Sequence, residues 1–350
     1  MVSQRTLPVN LSSAEIRLFE HERLKEIPAH QVLSFHDNIL VTPEGVVFRN
    51  GNLVQESLYN EAHRDFFDGA YRIYYSCRGW FRQTIPGPFL VAFDEWSMGY
   101  FHWMTEFIPR LFMSRALVAE CTVVLPAISN GISSRSTAHR SLIKIPAVVP
   151  RADYMTGSLA PFRLTRVYQH TARVPLKTSH LYLSSHLAPS GNYNDEVMRL
   201  IRDFYLDAYV QHRGKPNRLV YVTRQQAARR FIQNEGAIIE VLRSHGFEIL
   251  ALESLTFADQ VQLLAETRVL VGQHGAALTN LLFMQEGTSV IELKTAGDSQ
   301  NLCYFSLASA MKVNYLYQFC EGDGRTVQDA DIVVDPDMLM KNILMATGLS

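Results

Sequence analysis

Beyond the polar run HRGKPN at 212–217, short apolar stretches and helical periodicities alternate along the chain. Residues 219–223, 247–252, 269–271 and 289–293 read as buried strands, and the segments from Glu235 and over 258–266 read as helices. That rhythm predicts βαβ units and a parallel sheet. Upstream the pattern is looser. Residues 35–40, 45–48, 89–93, 121–125, 163–168 and 181–183 read as strands, and a helix is expected over 196–209. A polar stretch at 129–139 reads as a loop feeding a helix near Leu142. A last strand at 332–334 precedes a helix over 338–346, expected to cross back onto the first domain. A chain of 350 residues exceeds one ordinary core, so two domains are expected, 1–212 and 213–350.

The strand at 269–271 runs into His274, Gly275, Ala276 and Ala277 and then into a helical pattern through Leu282. A strand–turn–helix unit leaves backbone N–H groups free at the helix start, and with the helix dipole these favour an anion such as phosphate. Gly275 and Ala276 let a pyrophosphate approach the main chain, and His274 offers a hydrogen bond. The same residues also fit a tight connection whose histidine merely packs. Nearby, Arg224 ends one strand, Arg229 and Arg230 follow in a basic loop, and Asn234-Glu235 opens a helix. Glu292 sits in an otherwise apolar strand. In a parallel sheet these gather at the carboxyl edge, where such folds bind ligands. A nucleotide needs that set: cations for phosphate, an acceptor for ribose hydroxyls and room at the backbone. The bland alternatives stay open: Asn234-Glu235 as cap and first-turn acid, Arg229 as a surface charge, Asn280 satisfying a backbone group, and Glu292 paired with a neighbouring cation.

Arg224, Arg230, Asn234-Glu235, the FADQ run at 257–260, His274-Gly275-Ala276, Asn280, Phe283 and Ile291-Glu292 together resemble the pattern of family 61 glycosyltransferases. The block GYFHWMTEFIPRL at 99–111 resembles that family's N-terminal His-Trp signature, departing from many bacterial members at its first residues. The family spans bacterial polysaccharide-locus enzymes, plant xylosyl- and arabinosyltransferases and animal O-linked N-acetylglucosaminyltransferases. The resemblance implies a GT-B-like α/β architecture of two Rossmann-like domains facing a central cleft, a nucleotide-sugar donor, and inversion at the anomeric carbon. It places Arg224, Arg230, Asn234, Glu235, His274, Gly275, Ala276, Ala277, Asn280 and Glu292 at the donor, which is expected to be UDP-linked.

Hydrophobic content of 47% with 19% charged residues is ordinary for a globular protein, and a net charge of −1 gives no support for nucleic acid as a partner. The four cysteines (Cys77, Cys121, Cys303, Cys320) have no metal-ligand spacing and suit a reducing compartment. No apolar run of transmembrane length occurs, and residues 1–28 carry charges where a signal peptide would carry an apolar core. A cytoplasmic bacterial enzyme is expected, with room for peripheral contact at the inner membrane. Asp335 and Asp337 form an Asp-x-Asp triplet of the kind that binds metal in other transferases. Lying close to a helix, they read better as helix-start acids, and no metal or other cofactor is expected.

His102 and Glu106, four residues apart, share a helical face beside apolar neighbours. Either could take the proton of an acceptor hydroxyl, although the pair also fits a structural ion pair, and Pro109 interrupts the helical pattern. The sequence is therefore read as a metal-independent, inverting transferase. It would move a sugar to a glycan or glycolipid acceptor in capsule, exopolysaccharide or lipopolysaccharide synthesis. A nucleotide-sugar-binding protein without turnover and a GT-B-like sugar-nucleotide epimerase are the alternatives.

Overall fold

A computed structural model describes residues 2–127, 153–171, 173–188, 190–226 and 229–348. The loop expected at 129–139 and the helix near Leu142 lie outside these residues. The chain is mixed α/β and divides into two compact units, one of Pro28–Pro189 and one of Met1–Ile27 with Ser190–Ser350. The boundary expected at 212/213 is thus replaced by one at 189/190, and the first residues join the later part of the chain.

The reason is tertiary. β1 (Val2–Gln4) and β2 (Leu24–Glu26) form a small antiparallel pair tied down by Arg5. The Arg5 guanidinium is fully buried, pairs with Asp195 and donates to Tyr193 O at 2.8 Å. Phe19 packs edge-on against Phe305, with ring centres 5.0 Å apart. Such anchors between distant parts of the chain leave no signature in local periodicity.

In the unit Pro28–Pro189 the strands are β3 (Val32–Val41), β4 (Val47–Arg49), β5 (Asn52–Leu53), β6 (Phe89–Val91), β7 (Thr122–Leu125), β8 (Val167–Gln169) and β9 (Leu176–Ser184). Their order is β5-β4-β3-β9-β6-β7-β8. The β9-β6-β7-β8 half is parallel and the β5-β4-β3-β9 half antiparallel. A fully parallel Rossmann-like sheet, as expected for this part, does not form. Helix α1 (Ala70–Trp80), absent from the sequence reading, lays Tyr75 and Gly79 on the core of Leu40, Phe48 and Phe67. The approach is close: a Cβ on Gly79 would meet Leu40 Cδ1 at 2.5 Å.

The other unit holds β10 (Arg218–Val222), β11 (Glu248–Leu250), β12 (Thr267–Gln273), β13 (Ser289–Thr295), β14 (Asn314–Gly322) and β15 (Ile332–Val333) in the order β11-β10-β12-β13-β14-β15. All neighbours are parallel except β14/β15. The near-continuous apolar runs of β12 and β13 are those of strands covered on both faces. Helix α2 (Asp195–Tyr209) starts at Asn194, whose side chain accepts from Val197 N. α3 (Glu235–Ser244), α4 (Phe257–Ala265), α5 (Cys303–Met311) and α6 (Pro336–Thr347) complete the layers. Ile238 and Leu242 of α3 and Leu339 and Ile343 of α6 meet Val269, Val271, Ile291 and Leu293 in one core. Burying each such side chain contributes about 1.5–3 kcal/mol. Helix α6 packs on the sheet of its own unit. Asp335 caps it by accepting from Asp337 N and Met338 N.

Candidate functional site

Arg224 follows the carboxyl end of β10, and its guanidinium turns back on the chain. Nε donates to Arg230 O and Nη2 to Arg229 O, both at 2.9 Å, holding Arg230 in a left-handed conformation (φ 59°). The two guanidinium groups converge on Gly275. A Cβ there would lie 2.9 Å from Arg224 Nη1 and 3.4 Å from Arg230 Nη2. Among the described residues neither arginine has a carboxylate in ion-pair range, and the buried Nε of Arg230 has no hydrogen-bond partner. Arg229 is different: it is exposed and paired with Asp329 at 3.0 Å.

Two cations so placed disfavour each other. Burial, followed by the charge of Arg230, pulls Arg224 down to about 10, and burial with Arg229 pulls Arg230 below its ordinary value. A bound anion would relieve both effects. A small cavity lined by Thr223, Arg224, Glu253, Gln273 and Ala277 opens beside it, at the ends of β10 and β12.

The segment after β12 differs from the expected α-helix. Ala276–Phe283 winds as a 3-10 helix. Residues 278–283 are buried on every side, so the segment shows no amphipathic stripe. Gly275 (φ 163°) is extended and precedes the first turn, whose opening N–H groups have no partner within the helix. Ala276 and Ala277 stand at that opening. Asn280 is buried and donates to Ala277 O at 3.1 Å, bracing the turn from inside.

Three expected donor residues are engaged by the fold itself. Asn234 does not cap α3; its amide donates to Val334 O at 2.7 Å and accepts from Val334 N at 3.0 Å. Glu235 is buried and accepts from Tyr221 Oη, Thr223 Oγ1 and Arg224 N, which fixes the chain at Arg224. Glu292 is fully enclosed, with Oε1 bonded to His274 Nδ1 and Oε2 accepting from Tyr315 Oη at 2.6 Å. Burial favours its neutral acid, but the charges of Lys294 and His274 outweigh that and hold it below the usual carboxylate range. Both Glu292 oxygens are thus occupied, and the expected contact with ribose hydroxyls is replaced by a hold on His274. Asn301 Nδ2 lies 3.0 Å from His274 Nε2, so the ring is held at both nitrogens and braces the turn.

In the unit Pro28–Pro189, His102 and Glu106 pair at 2.9 Å (Nδ1 to Oε2). The helix carrying them runs through Tyr100–His102 and Ile108–Met113 with a widened π turn, Trp103–Phe107, between. That turn accommodates Pro109, which lacks an N–H: Ile108 N reaches back to Trp103 O and the helix continues. Burial lowers the His102 pKa, but the Glu106 bond and the charges of Glu106, Asp94 and Glu95 outweigh it and carry it above 6.5.

Around this pair stands a cluster that the sequence reading missed. The Tyr59 and Trp96 rings each lie 5.4 Å from His102, and His63 bonds Glu95 at 2.9 Å. Burial and Asp94 raise the Glu95 pKa against the pull of His63. Arg110, fully buried, donates to Asp94 Oδ2 at 3.0 Å and to Ser184 O at 2.9 Å. His186 lies 3.6 Å from Asp94; burial and Arg110 push its pKa below the ordinary value against the pull of Asp94. Asp94 and Glu95 carried a readable signal, acids at the end of the apolar run 89–93. Tyr59 and His63 carried none.

A Cβ on Gly275 would crowd the guanidinium pair without demanding a forbidden φ. Gly275→Ala is expected to keep the fold and lose nucleoside-diphosphate affinity. Calorimetric titration with UDP beside a thermal melt would check this, and unchanged affinity would mean that the arginines do not meet the ligand at Gly275.

Among the described residues no group of three or more His, Cys, Asp or Glu side chains is placed to hold a metal ion. No helix there is long and apolar enough to cross a membrane. A family model described as Glycosyltransferase 61 matches residues 100–291. The EGF domain-specific O-linked N-acetylglucosamine transferase of Bos taurus is 34% identical over 92 residues, 25% of this chain and 17% of that protein. Its Drosophila melanogaster counterpart is 27% identical over 153 residues, 42% of this chain and 27% of the relative. The human Protein O-linked-mannose beta-1,4-N-acetylglucosaminyltransferase 2 is 33% identical over 109 residues, 30% of this chain and 18% of the relative. The matches thus span between 17% and 27% of the length of these relatives.

Proposed function

The chain belongs to the glycosyltransferase 61 family, and from that premise we propose that it moves a sugar from a nucleotide-sugar donor, UDP-linked, to a glycan or glycolipid acceptor, with inversion and without metal. The observation that carries the donor half is the Arg224/Arg230 pair converging on Gly275 without a carboxylate partner among the described residues. In this reading the diphosphate lies against both guanidinium groups and the N–H groups that open Ala276–Phe283. Glu235 and the His274–Glu292 pair hold those elements in place and do not themselves touch the donor.

The acceptor half belongs to the His102 cluster. Glu106 occupies Nδ1 of His102, which leaves Nε2 to take the acceptor proton. The hydroxyl oxygen bonds to the sugar C1 as the bond from C1 to the phosphate oxygen breaks on the opposite face. The charge released on the diphosphate is stabilised by Arg224 and Arg230. Tyr59 and Trp96 offer aromatic faces for the acceptor sugar beside His102. We propose a GT-B-like organisation, with the donor held by the later unit and the acceptor by the earlier one. We propose that the reaction serves assembly of a bacterial surface polysaccharide, on the cytoplasmic side.

Incubation with a panel of nucleotide sugars and glycan acceptors, followed by mass spectrometry, tests this. Free UDP and a new glycoside are expected. An altered sugar nucleotide would instead make the protein an epimerase, and a donor bound but unchanged would make it a binder. Because cationic side chains take the charge of the leaving diphosphate, turnover is expected to persist in EDTA. Activity lost to the chelator and restored by manganese would contradict the metal-free reading.

A further inference from the structure

Helix α1 is apolar on two opposite faces. Tyr75 and Gly79 turn inward on the core. The outer face carries Ile73 and Trp80, and Phe81 follows at the helix end. Trp80 is 82% exposed, Phe81 89% and Ile73 62%. Large apolar side chains exposed together mark a surface that meets something. Among the described residues nothing covers it.

Charge says what it meets. No acidic residue occurs between Asp68 and Asp94, while Arg72, Arg78 and Arg82 fall in that stretch; Arg72 pairs with Asp68 at 3.4 Å, which leaves Arg78 and Arg82 as the cations beside the rings. Arg78 lies over the Tyr74 ring, 4.7 Å from its centre, and the charge of Arg82 offsets part of the rise that burial gives the Tyr168 pKa. The whole chain carries only −1, so the basic character is local. A second copy of this chain would fit poorly, because a two-fold contact places the same patch on both sides and sets arginine against arginine. Large aromatics at a helix end, flanked by arginines and free of acids, match the interface of an anionic lipid bilayer. Rings sit there at headgroup depth and guanidinium groups over phosphates.

We propose that this edge of the Pro28–Pro189 unit docks on an anionic membrane surface, with Trp80 and Phe81 inserted and Arg78 and Arg82 on the headgroups. The assignment does not depend on the donor reading.

The test is co-sedimentation of the full chain with phosphatidylglycerol/phosphatidylcholine vesicles and with phosphatidylcholine alone. Binding is expected on the anionic vesicles and should weaken as salt rises. The double variant Trp80→Ser/Phe81→Ser should lower it roughly tenfold or more. Arg78→Gln/Arg82→Gln should reduce the preference for anionic lipid while leaving the melting temperature unchanged. Since all four side chains are exposed, the variants fold, and circular dichroism checks that they do. Failure of the wild type to sediment with anionic vesicles would overturn the proposal, as would equal binding by the Trp80/Phe81 variant. A wild-type dimer dissolved by Trp80→Ser/Phe81→Ser would also overturn it, assigning the patch to self-association.

Discussion

Replacing Arg224 or Arg230 by Ala is expected to weaken UDP and GDP binding by about 1.5–3 kcal/mol each, the size of a lost charge-assisted hydrogen bond. That is roughly a ten- to hundredfold rise in Kd. The two effects should not add. Arg224 lies in the repulsive field of Arg230, so removing one relieves the one that remains and softens each single loss, and the double variant should exceed the sum. Arg224 also carries the carbonyls of Arg229 and Arg230, so Arg224→Ala loosens the loop that presents Arg230 and should be the costlier substitution. Wild-type affinity in both single variants, measured by titration calorimetry, would remove the donor site from this place.

The second large effect concerns proton transfer. Glu106→Gln and His102→Ala are each expected to lower turnover by roughly 10²–10⁴-fold, with donor affinity barely changed. The pH profile separates their roles. A base must be unprotonated to act, and the His102 pKa is carried above 6.5, so the rate should climb with pH through a limb above 6.5. Glu106 supplies the largest upward influences on that pKa. In Glu106→Gln the limb should therefore move to lower pH while the maximum rate falls. A limb in the carboxylate range would instead make Glu106 the base. Wild-type turnover in both variants with the true acceptor would leave the pair structural.

Why some of this was readable and some was not follows from the range of the interactions. β12 and β13 announce themselves because strands buried on both faces are apolar throughout, and Arg224 stands out as a cation just past such a strand. Asn234 and Glu235 have the right residue types in the right place. Whether their polar atoms are free depends, however, on Val334, Tyr221 and Thr223, which only the folded sheet brings near. Glu292 is similar: an acid in an apolar strand suggests function, yet Tyr315 and His274 take both its oxygens. The first 27 residues have weak periodicity because they form little sheet of their own and are held by Arg5 and Phe19 against distant partners. The 3-10 winding of Ala276–Phe283 was hidden because the spacing of its leucines suits either helix.

The central claim is that the guanidinium pair at Gly275 is a nucleoside-diphosphate site. Its most direct measurement is a titration of the wild-type chain with UDP, GDP and UMP, read by calorimetry and by thermal shift. The account predicts saturable binding of the diphosphates, distinctly weaker binding of the monophosphate, and a stabilisation of about 2.7 kcal/mol at a hundredfold excess over Kd. No binding of either diphosphate, or equal affinity for UDP and UMP, would contradict it.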